Sequence, residues 1–170
     1  LGFMGGTDAH STLTFSRGID APHLDRPAGL TAVGAPQLTR ANIFTALKKR
    51  HTYAAKGERI FLQVEVDTAS PGSFLPLTDE PRRVCWKTAG KADIESIEII
   101  RNGGVIHTVN PESWFHTGCF RDDGGLGSEG DSITMHSPYM GDFIYYYIRI
   151  TCRSGAMAWS SPVWLCTHPS

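Results

Sequence analysis

The chain has 170 residues, of which 41% are hydrophobic and 19% charged, and its formal net charge is -1. This length suits one large domain, or one small domain plus part of another, and the composition excludes intrinsic disorder. The cations are scattered apart from Lys48-Lys49-Arg50, so a nucleic-acid partner is not expected. No apolar run approaches the ~20 residues that span a bilayer, so a membrane partner is not expected either.

Residues 1–57 have an α/β pattern. The apolar, glycine-rich stretch 1–7 predicts a buried strand that ends in a tight turn, and a loop with prolines follows. Thr39 is a good N-cap for a helix from Arg40 to Arg50, where apolar residues recur at helical spacing. Since the chain begins at Leu1 without an initiator Met or a signal peptide, we expect a further part of the protein to precede it.

After Gly57 the hydrophobic period changes from helical to two. This pattern predicts short strands, and Asn102-Gly103-Gly104 predicts a hairpin turn between two of them. Residues 110–131 are predicted as a glycine-rich loop. The predicted strands are 60–66, one around Val84 and Trp86, 97–99, 105–106, 143–152 and a last one containing Trp159 and Trp164. Without a helix after about residue 55, residues 58–170 are predicted to form an antiparallel, Ig-like β-sandwich.

The four cysteines are widely spaced, and none belongs to the C-x-x-C pairs of a zinc ribbon. Cys85, Cys152 and Cys166 lie in apolar runs, where a free Cys behaves as a small buried hydrophobe. The sequence leaves a disulfide among Cys85, Cys119, Cys152 and Cys166 open, and with it the cellular compartment.

Asp8 and His10 form the pattern that most directly suggests chemistry. In an extended backbone, residues two apart project to the same side, so the two side chains converge on one point. A carboxylate and an imidazole suit zinc, manganese or iron. The alternative is that Asp8 caps a turn and His10 is a surface residue, and for an isolated Asp-x-His this alternative is favoured, because two ligands do not define a metal site.

The run 1–11, Leu-Gly-Phe-Met-Gly-Gly-Thr-Asp-Ala-His-Ser, resembles the last metal-binding motif of the polymerase-and-histidinol-phosphatase (PHP) superfamily. Three further stretches resemble a PHP-related domain of unknown function, close to the CehA/McbA-type hydrolases. They are 29–33 with 38–40 and 46–47, then 50–54 with 57–60, and finally 145–149 with 158–164. The resemblance covers most of the chain, except residues 66–92 and the glycine-rich loop.

The resemblance implies that residues 1–57 are the C-terminal end of a PHP-type α/β barrel and that 58–170 are an accessory β-sandwich. It implies that Asp8 and His10 hold a divalent metal, whereas the other ligands of the family come from earlier motifs, including His-x-His, which this chain lacks. The expected partners are the N-terminal part of the same barrel and a small anionic ester. A site with two protein ligands leaves the chain alone inactive.

Arg40, Arg50, Tyr53 and Arg59 are candidates for contacting an anionic substrate, because an Arg side chain recognises phosphate or carboxylate with paired donors. The favoured alternative is that Arg50 and Arg59 form surface or inter-domain ion pairs and that Tyr53 packs between the domains.

Two further patterns have both a structural and a functional interpretation. Four acidic residues of the glycine-rich loop could bind calcium, but they lack the alternation of an EF-hand, so a surface loop is favoured. They are Asp122, Asp123, Glu129 and Asp131. Five strand aromatics could form a sugar-binding platform, but alternation places Tyr146 in the core, and packing is favoured. They are Tyr145, Tyr146, Tyr147, Trp159 and Trp164.

Two functions follow from these patterns. The first is the C-terminal part of a metal-dependent hydrolase, with a phosphoesterase as the expected class. The second is a non-catalytic β-sandwich that binds a partner or mediates association.

Overall fold

A computed structural model describes residues 2–6, 29–125 and 134–168. These residues contain one helix and eleven strands, most of them hydrogen-bonded to neighbours that are distant in sequence. The elements are β1 (Gly29–Val33), α1 (Arg40–Lys48), β2 (Thr52–Lys56), β3 (Phe61–Val66), β4 (Phe74–Pro76), β5 (Arg82–Arg101), β6 (Gly104–Val109), β7 (Ser113–Asp122), β8 (Met135–Ser137), β9 (Gly141–Cys152), β10 (Met157–Ser160) and β11 (Val163–Cys166).

The long strand β5 organises the sheet. Its first half pairs with β3 on one side and β7 on the other, and its second half pairs with β6 and β9. The pairing register shifts between Ala89 and Ile94, where β5 passes from one set of neighbours to the other. From β9 the sheet continues through β10 and β2 to β1, and separately through β11 to β4. All pairs are antiparallel except β4 with β11, so the sheet is mixed.

One hydrophobic cluster joins both halves of β5. On β9 the residues Ile144, Tyr146, Ile148 and Ile150 are buried while their neighbours are only half-buried, as the period of two predicts. These side chains pack with buried residues of the other strands: Leu62, Val64, Val66, Val84, Trp86, Ile94, Ile97 and Ile99. The predicted core position of Tyr146 is confirmed, because only 1% of its surface is exposed.

The expectation that residues 1–57 form the end of a PHP-type α/β barrel, as part of an α+β fold, is wrong. A barrel of that type needs parallel strands joined through helices. Here α1 joins β1 to β2, but these two strands are antiparallel, and β2 is in turn antiparallel to β10. The protein is mostly β in its described ranges, with a single helix of nine residues, and the sheet continues across Gly57.

Two other predictions also need correction. Residues 113–122, predicted as part of a loop, form β7, because pairing along β5 overrides their weak alternation. The stretch 2–6 does not form the predicted buried strand, since its residues are half-buried or exposed and Met4 is 65% exposed. In contrast, the helix after Thr39 is confirmed, with the Thr39 side chain accepting a hydrogen bond from the Asn42 amide at 3.3 Å.

Cys85 and Cys119 form a disulfide between β5 and β7, where they are directly opposed. The sequence had left a disulfide among the four cysteines open, and the structure pairs Cys85 with Cys119. Cys152 and Cys166 are free and buried, as their apolar surroundings predicted.

Candidate functional site

The segment 2–6, which directly precedes Thr7-Asp8-Ala9-His10, lies against β1 and β2. The Phe3 amide donates to Ser161 Oγ at 2.8 Å, and Thr52 Oγ1 donates to the Phe3 carbonyl at 2.9 Å. The two hydroxyls are 3.0 Å apart. Because the Thr52 proton is directed at Phe3, Ser161 is the donor of this third bond. Thr52 and Ser161 are both buried, so they hold Phe3 by a closed hydrogen-bond network shielded from water.

Thr31 on β1 holds the same segment two residues further along. The Gly5 amide donates to Thr31 Oγ1 at 3.0 Å, and Thr31 Oγ1 donates to the Gly5 carbonyl at 2.8 Å. We call Thr31, Thr52 and Ser161 together the hydroxyl anchor. Its three side chains come from β1, β2 and the turn between β10 and β11, so the sheet itself fixes their separation.

Glycines allow the two backbones to approach closely at this point. A Cβ atom at Gly5 would lie 2.4 Å from the Leu30 carbonyl oxygen, and one at Gly29 would lie 2.4 Å from the Gly6 carbonyl oxygen. No side chain fits at either position without moving the backbone. The aromatic ring of Phe3 packs edge-on against Tyr147, with ring centroids 5.3 Å apart.

Asp8 and His10 lie outside the described residues, so the structure places the segment that leads to them but not the two side chains. Within residues 2–6, 29–125 and 134–168, no three His, Cys, Asp or Glu side chains form a group that could hold a metal ion.

A cleft of about 440 Å³ opens between the paired strands β1 and β2 on one side and β3 on the other. Most of its lining is apolar, with the polar side chains of His51, Tyr53 and Glu65 among the lining residues. Burial lowers the pKa of His51, and the neighbouring cations Lys49 and Arg50 lower it further. His51 is therefore more readily neutral near pH 7 than a free histidine, a state in which an imidazole can accept a proton.

Tyr53 and Arg59 are brought together around a second cavity of about 250 Å³. Thr31 of the hydroxyl anchor also lines this cavity, which places it beside the segment 2–6. The Tyr53 hydroxyl donates to the Ile60 carbonyl at 2.8 Å, and burial raises the pKa of Tyr53. Tyr53 therefore keeps its proton at neutral pH, while Arg59 is exposed at the rim.

Arg50 and Arg40 lie elsewhere. The Arg50 guanidinium donates twice to the Gly72 carbonyl, at 3.3 and 3.1 Å. It also lies over the rings of Phe74 and Trp164, at 4.9 and 5.6 Å from their centroids. This arrangement is cation–π packing that fixes the chain after α1. Arg40 is exposed at the first position of that helix.

Asp122, the last residue of β7, has an internal structural role. Asp122 is buried, and its carboxylate accepts from the Tyr146 hydroxyl and from Arg101 Nη1, both at 2.7 Å. It also accepts from the Gly124 amide at 3.0 Å. Asp123 pairs with Arg121. Glu129 and Asp131 lie outside the described residues.

The aromatic residues of the last strands mainly pack. Tyr146 and Trp164 are buried, and Trp159 is half-buried. Tyr145 and Tyr147 stack on each other on the opposite face of β9 from Tyr146, with centroids 6.3 Å apart.

The sequence did not reveal the hydroxyl anchor. Ser and Thr hydroxyls are common in strands and turns, and nothing in their spacing distinguishes Thr31, Thr52 or Ser161. The available signal was the glycines: Gly5-Gly6 and Gly29 indicate two backbones in contact. The glycines thus indicate contact between residues 5–6 and 29, but not which side chains hydrogen-bond to the segment.

Residues 8–67 match the family described as "Protein of unknown function (DUF3604)". An uncharacterized protein of Chlamydia pneumoniae is 36% identical over 158 residues, which cover 86% of this chain and 24% of that protein. Uncharacterized proteins of Chlamydia trachomatis serovar D and Chlamydia muridarum are each 34% identical, over 97% of this chain and 27% of their own length. The chain thus spans about a quarter of the length of these curated relatives. No solved structure matches it.

Among the described residues, no helix is long and apolar enough to cross a membrane, since α1 has nine residues.

Proposed function

We propose that this chain supplies Asp8 and His10 as metal ligands to a metal-dependent hydrolase, and that the substrate is a small anionic ester, with a phosphate ester as the favoured class. The observation that carries this proposal is the hydroxyl anchor. A segment with three glycines and little buried apolar surface is held at Phe3 and Gly5 by the side chains of Thr31, Thr52 and Ser161. The pattern Asp8-Ala9-His10, which resembles the final motif of the PHP superfamily, follows directly in the chain.

The donor set fits a divalent metal of borderline hardness. Asp8 offers a charged oxygen and His10 a neutral nitrogen, a combination suited to zinc, manganese or iron. Such a metal supplies an activated water and stabilises the negative charge that develops on the ester. The role of the hydroxyl anchor is to limit the movement of the backbone before Asp8, because a ligand held loosely contributes little to metal affinity.

The remaining ligands must come from elsewhere. Two protein ligands leave a metal weakly bound, and the curated relatives are about four times as long as the aligned part of this chain. We therefore assign the other ligands to the part of a longer protein that lies outside this chain, and expect the 170 residues alone to be inactive.

Arg59 is the proposed contact for the anionic group of the substrate, whereas Tyr53, whose hydroxyl proton is donated to the Ile60 carbonyl, lines the same site. They share a cavity with Thr31, so they lie next to the anchored segment. Arg59 is exposed and available to a ligand, whereas the Arg50 guanidinium is already engaged by Gly72, Phe74 and Trp164. Arg40, exposed on α1, is not among the residues that line either the 440 Å³ cleft or the 250 Å³ cavity.

The test uses the longer protein that contains this chain. Asp8→Asn and His10→Ala should each lower bound metal, measured by plasma mass spectrometry, and should lower hydrolysis of bis(4-nitrophenyl) phosphate by about two orders of magnitude or more. The matched controls are Asp142→Asn and His136→Ala. These residues form an exposed Asp–His pair at 2.8 Å outside the motif. Full metal content and full activity in Asp8→Asn would show that the ligand assignment is wrong.

A non-catalytic binding module is the second candidate. The mainly apolar 440 Å³ cleft beside β3 favours it, since small-molecule sites are usually concave and apolar with a few polar groups. Binding of a small molecule by the isolated chain, together with unchanged binding by its Asp8→Asn variant, would favour this function over hydrolysis.

A further inference from the structure

The four cysteines fall into two classes. Cys152 and Cys166 are buried free thiols, and burial raises the pKa of Cys152 to about 11 and also raises that of Cys166. The Cys85–Cys119 disulfide, in contrast, lies on the outer face of the strands β3, β5 and β7, where Cys119 is exposed and Cys85 half-buried. Among the cysteines, which all lie in the described ranges, only the disulfide pair is accessible to solvent.

A small cavity is lined by both cysteines of the disulfide. It has a volume of about 180 Å³, and Gln63, Glu65, Lys87 and Thr117 line it together with the two cysteines. This space admits the side chain of a small thiol, whereas a folded protein could approach only the rim. Its lining is mainly apolar, with the polar side chains of Gln63, Glu65 and Thr117 placed to contact a hydrophilic thiol.

The charges around the two sulfurs differ. Arg83 Nη2 lies 3.3 Å from Cys119 Sγ, while Glu65 is directly opposite Cys85 in the pairing of β3 with β5. A guanidinium stabilises a thiolate, and a carboxylate destabilises one. When the S–S bond breaks, negative charge is therefore better accommodated on Cys119 than on Cys85.

We propose that Cys85–Cys119 is an exchangeable disulfide that accepts a low-molecular-weight thiol at Cys85. The incoming thiolate attacks Cys85 Sγ, a new S–S bond forms there, and the electrons of the broken S–S bond leave on Cys119 as a thiolate beside Arg83. A second thiolate then attacks the sulfur of the first thiol, which releases Cys85 and forms the external disulfide. Two thiols are oxidised, and one protein disulfide is reduced. Solvent-exposed disulfides are the ones that undergo such exchange most readily.

The experiment treats the folded 170-residue chain with reduced glutathione, quenches it with iodoacetamide and locates the modified cysteines by peptide mass spectrometry. The early product should carry glutathione on Cys85 and the alkyl group on Cys119, with Cys152 and Cys166 unmodified. Arg83→Gln should slow formation of this product about threefold, because the leaving thiolate loses its cation. Arg121→Gln is the matched control: Arg121 is directly opposite Arg83 on the same face, and its guanidinium pairs with Asp123.

Three results would overturn the proposal. In the first, both Arg variants slow the reaction equally, which indicates a general effect of surface charge on the glutathione anion. In the second, glutathione is found on Cys119 and the alkyl group on Cys85. In the third, Cys85 and Cys119 react only together with Cys152 and Cys166, which means that the disulfide opens only when the protein unfolds.

Discussion

The anchored segment 2–6 and the centre of the sheet are held by opposite means. The segment has three hydroxyl side chains, close glycine contacts and one packed aromatic ring. The second half of β5 and its partner β9 are held by fully buried side chains such as Ile97, Ile99 and Ile148, around Tyr146. Apolar burial is non-directional and contributes most of the stability, whereas hydrogen bonds are directional and contribute about 1 kcal/mol each.

The position of segment 2–6 and the stability of the sheet therefore depend on different residues in this protein. Changes in the sheet centre should lower the free energy of unfolding with little effect on how the segment sits. Changes at the hydroxyl anchor should displace the segment with little effect on the free energy of unfolding. Four measurements test this separation, beginning with the largest expected effect.

Replacing Tyr146 by Ala should lower the free energy of unfolding by roughly 3–5 kcal/mol, measured by urea denaturation, as for other buried large-to-small changes. The loss combines the emptied core position with a missing donor to Asp122, which is buried beside Arg101. Tyr145→Ala is the control, because its ring is half-buried on the opposite face. Equal losses in the two variants would show that the alternation along β9 does not decide stability.

Raising the pH should also destabilise the sheet centre through Cys152. Its pKa is raised from 9.0 to about 11, first by burial and then by Glu58. The unfolded chain loses this proton at lower pH than the folded one, so stability is intact below about pH 9 and falls as the pH rises towards 11. The loss should be on the order of 1–2 kcal/mol. Cys152→Ala should lack this part of the pH dependence, and identical pH profiles would contradict the assignment.

Thr52→Val removes the hydroxyl that donates to the Phe3 carbonyl and accepts from Ser161. Because the volume is nearly unchanged but a buried hydrogen-bond network is broken, we expect a loss of about 1 kcal/mol. Amide hydrogen exchange should show faster exchange at Phe3, while β9 keeps its protection. Thr52→Ser retains the hydroxyl and should restore the protection at Phe3. Failure of Ser to restore it would mean that shape, not hydrogen bonding, holds the segment.

Gly5→Ala should have the smallest effect on global stability, below about 1 kcal/mol, yet displace the segment, because its Cβ would meet the Leu30 carbonyl at 2.4 Å. Limited proteolysis should then cleave near residues 2–6 more rapidly. Gly6→Ala is the matched control, since a Cβ there meets nothing within 4 Å. Equal proteolysis of the two variants would contradict the close approach of 5–6 to 29–30.

The sequence predicted the elements whose signals are local. The Thr39 cap, the alternation of 61–66 and 143–152, and the Asn102-Gly103 turn all appear in the structure, the turn with positive φ at both residues. Such elements are specified by neighbouring residues, so a single sequence suffices to predict them.

Features that depend on long-range pairing were missed. β1 and β2 were not predicted as strands, and the resemblance to a barrel protein suggested the wrong architecture for residues 1–57. β2 pairs with β10 across about 100 positions of sequence, and β1 pairs with β2 across the helix α1; no local pattern encodes either pairing. For the same reason the hydroxyl anchor, which brings Ser161 to Phe3, could not be predicted. The metal-binding role of Asp8 and His10 stays a prediction, drawn from the resemblance of residues 1–11 to a known motif.

The 20-residue strand β5 has a mechanical consequence. It has hydrogen-bonded neighbours on both sides along each half, so neither half can melt without leaving a stretch of its backbone donors and acceptors unpaired. Force or denaturant applied to either half is transmitted along one continuous backbone, so the described strands should unfold in a single cooperative step.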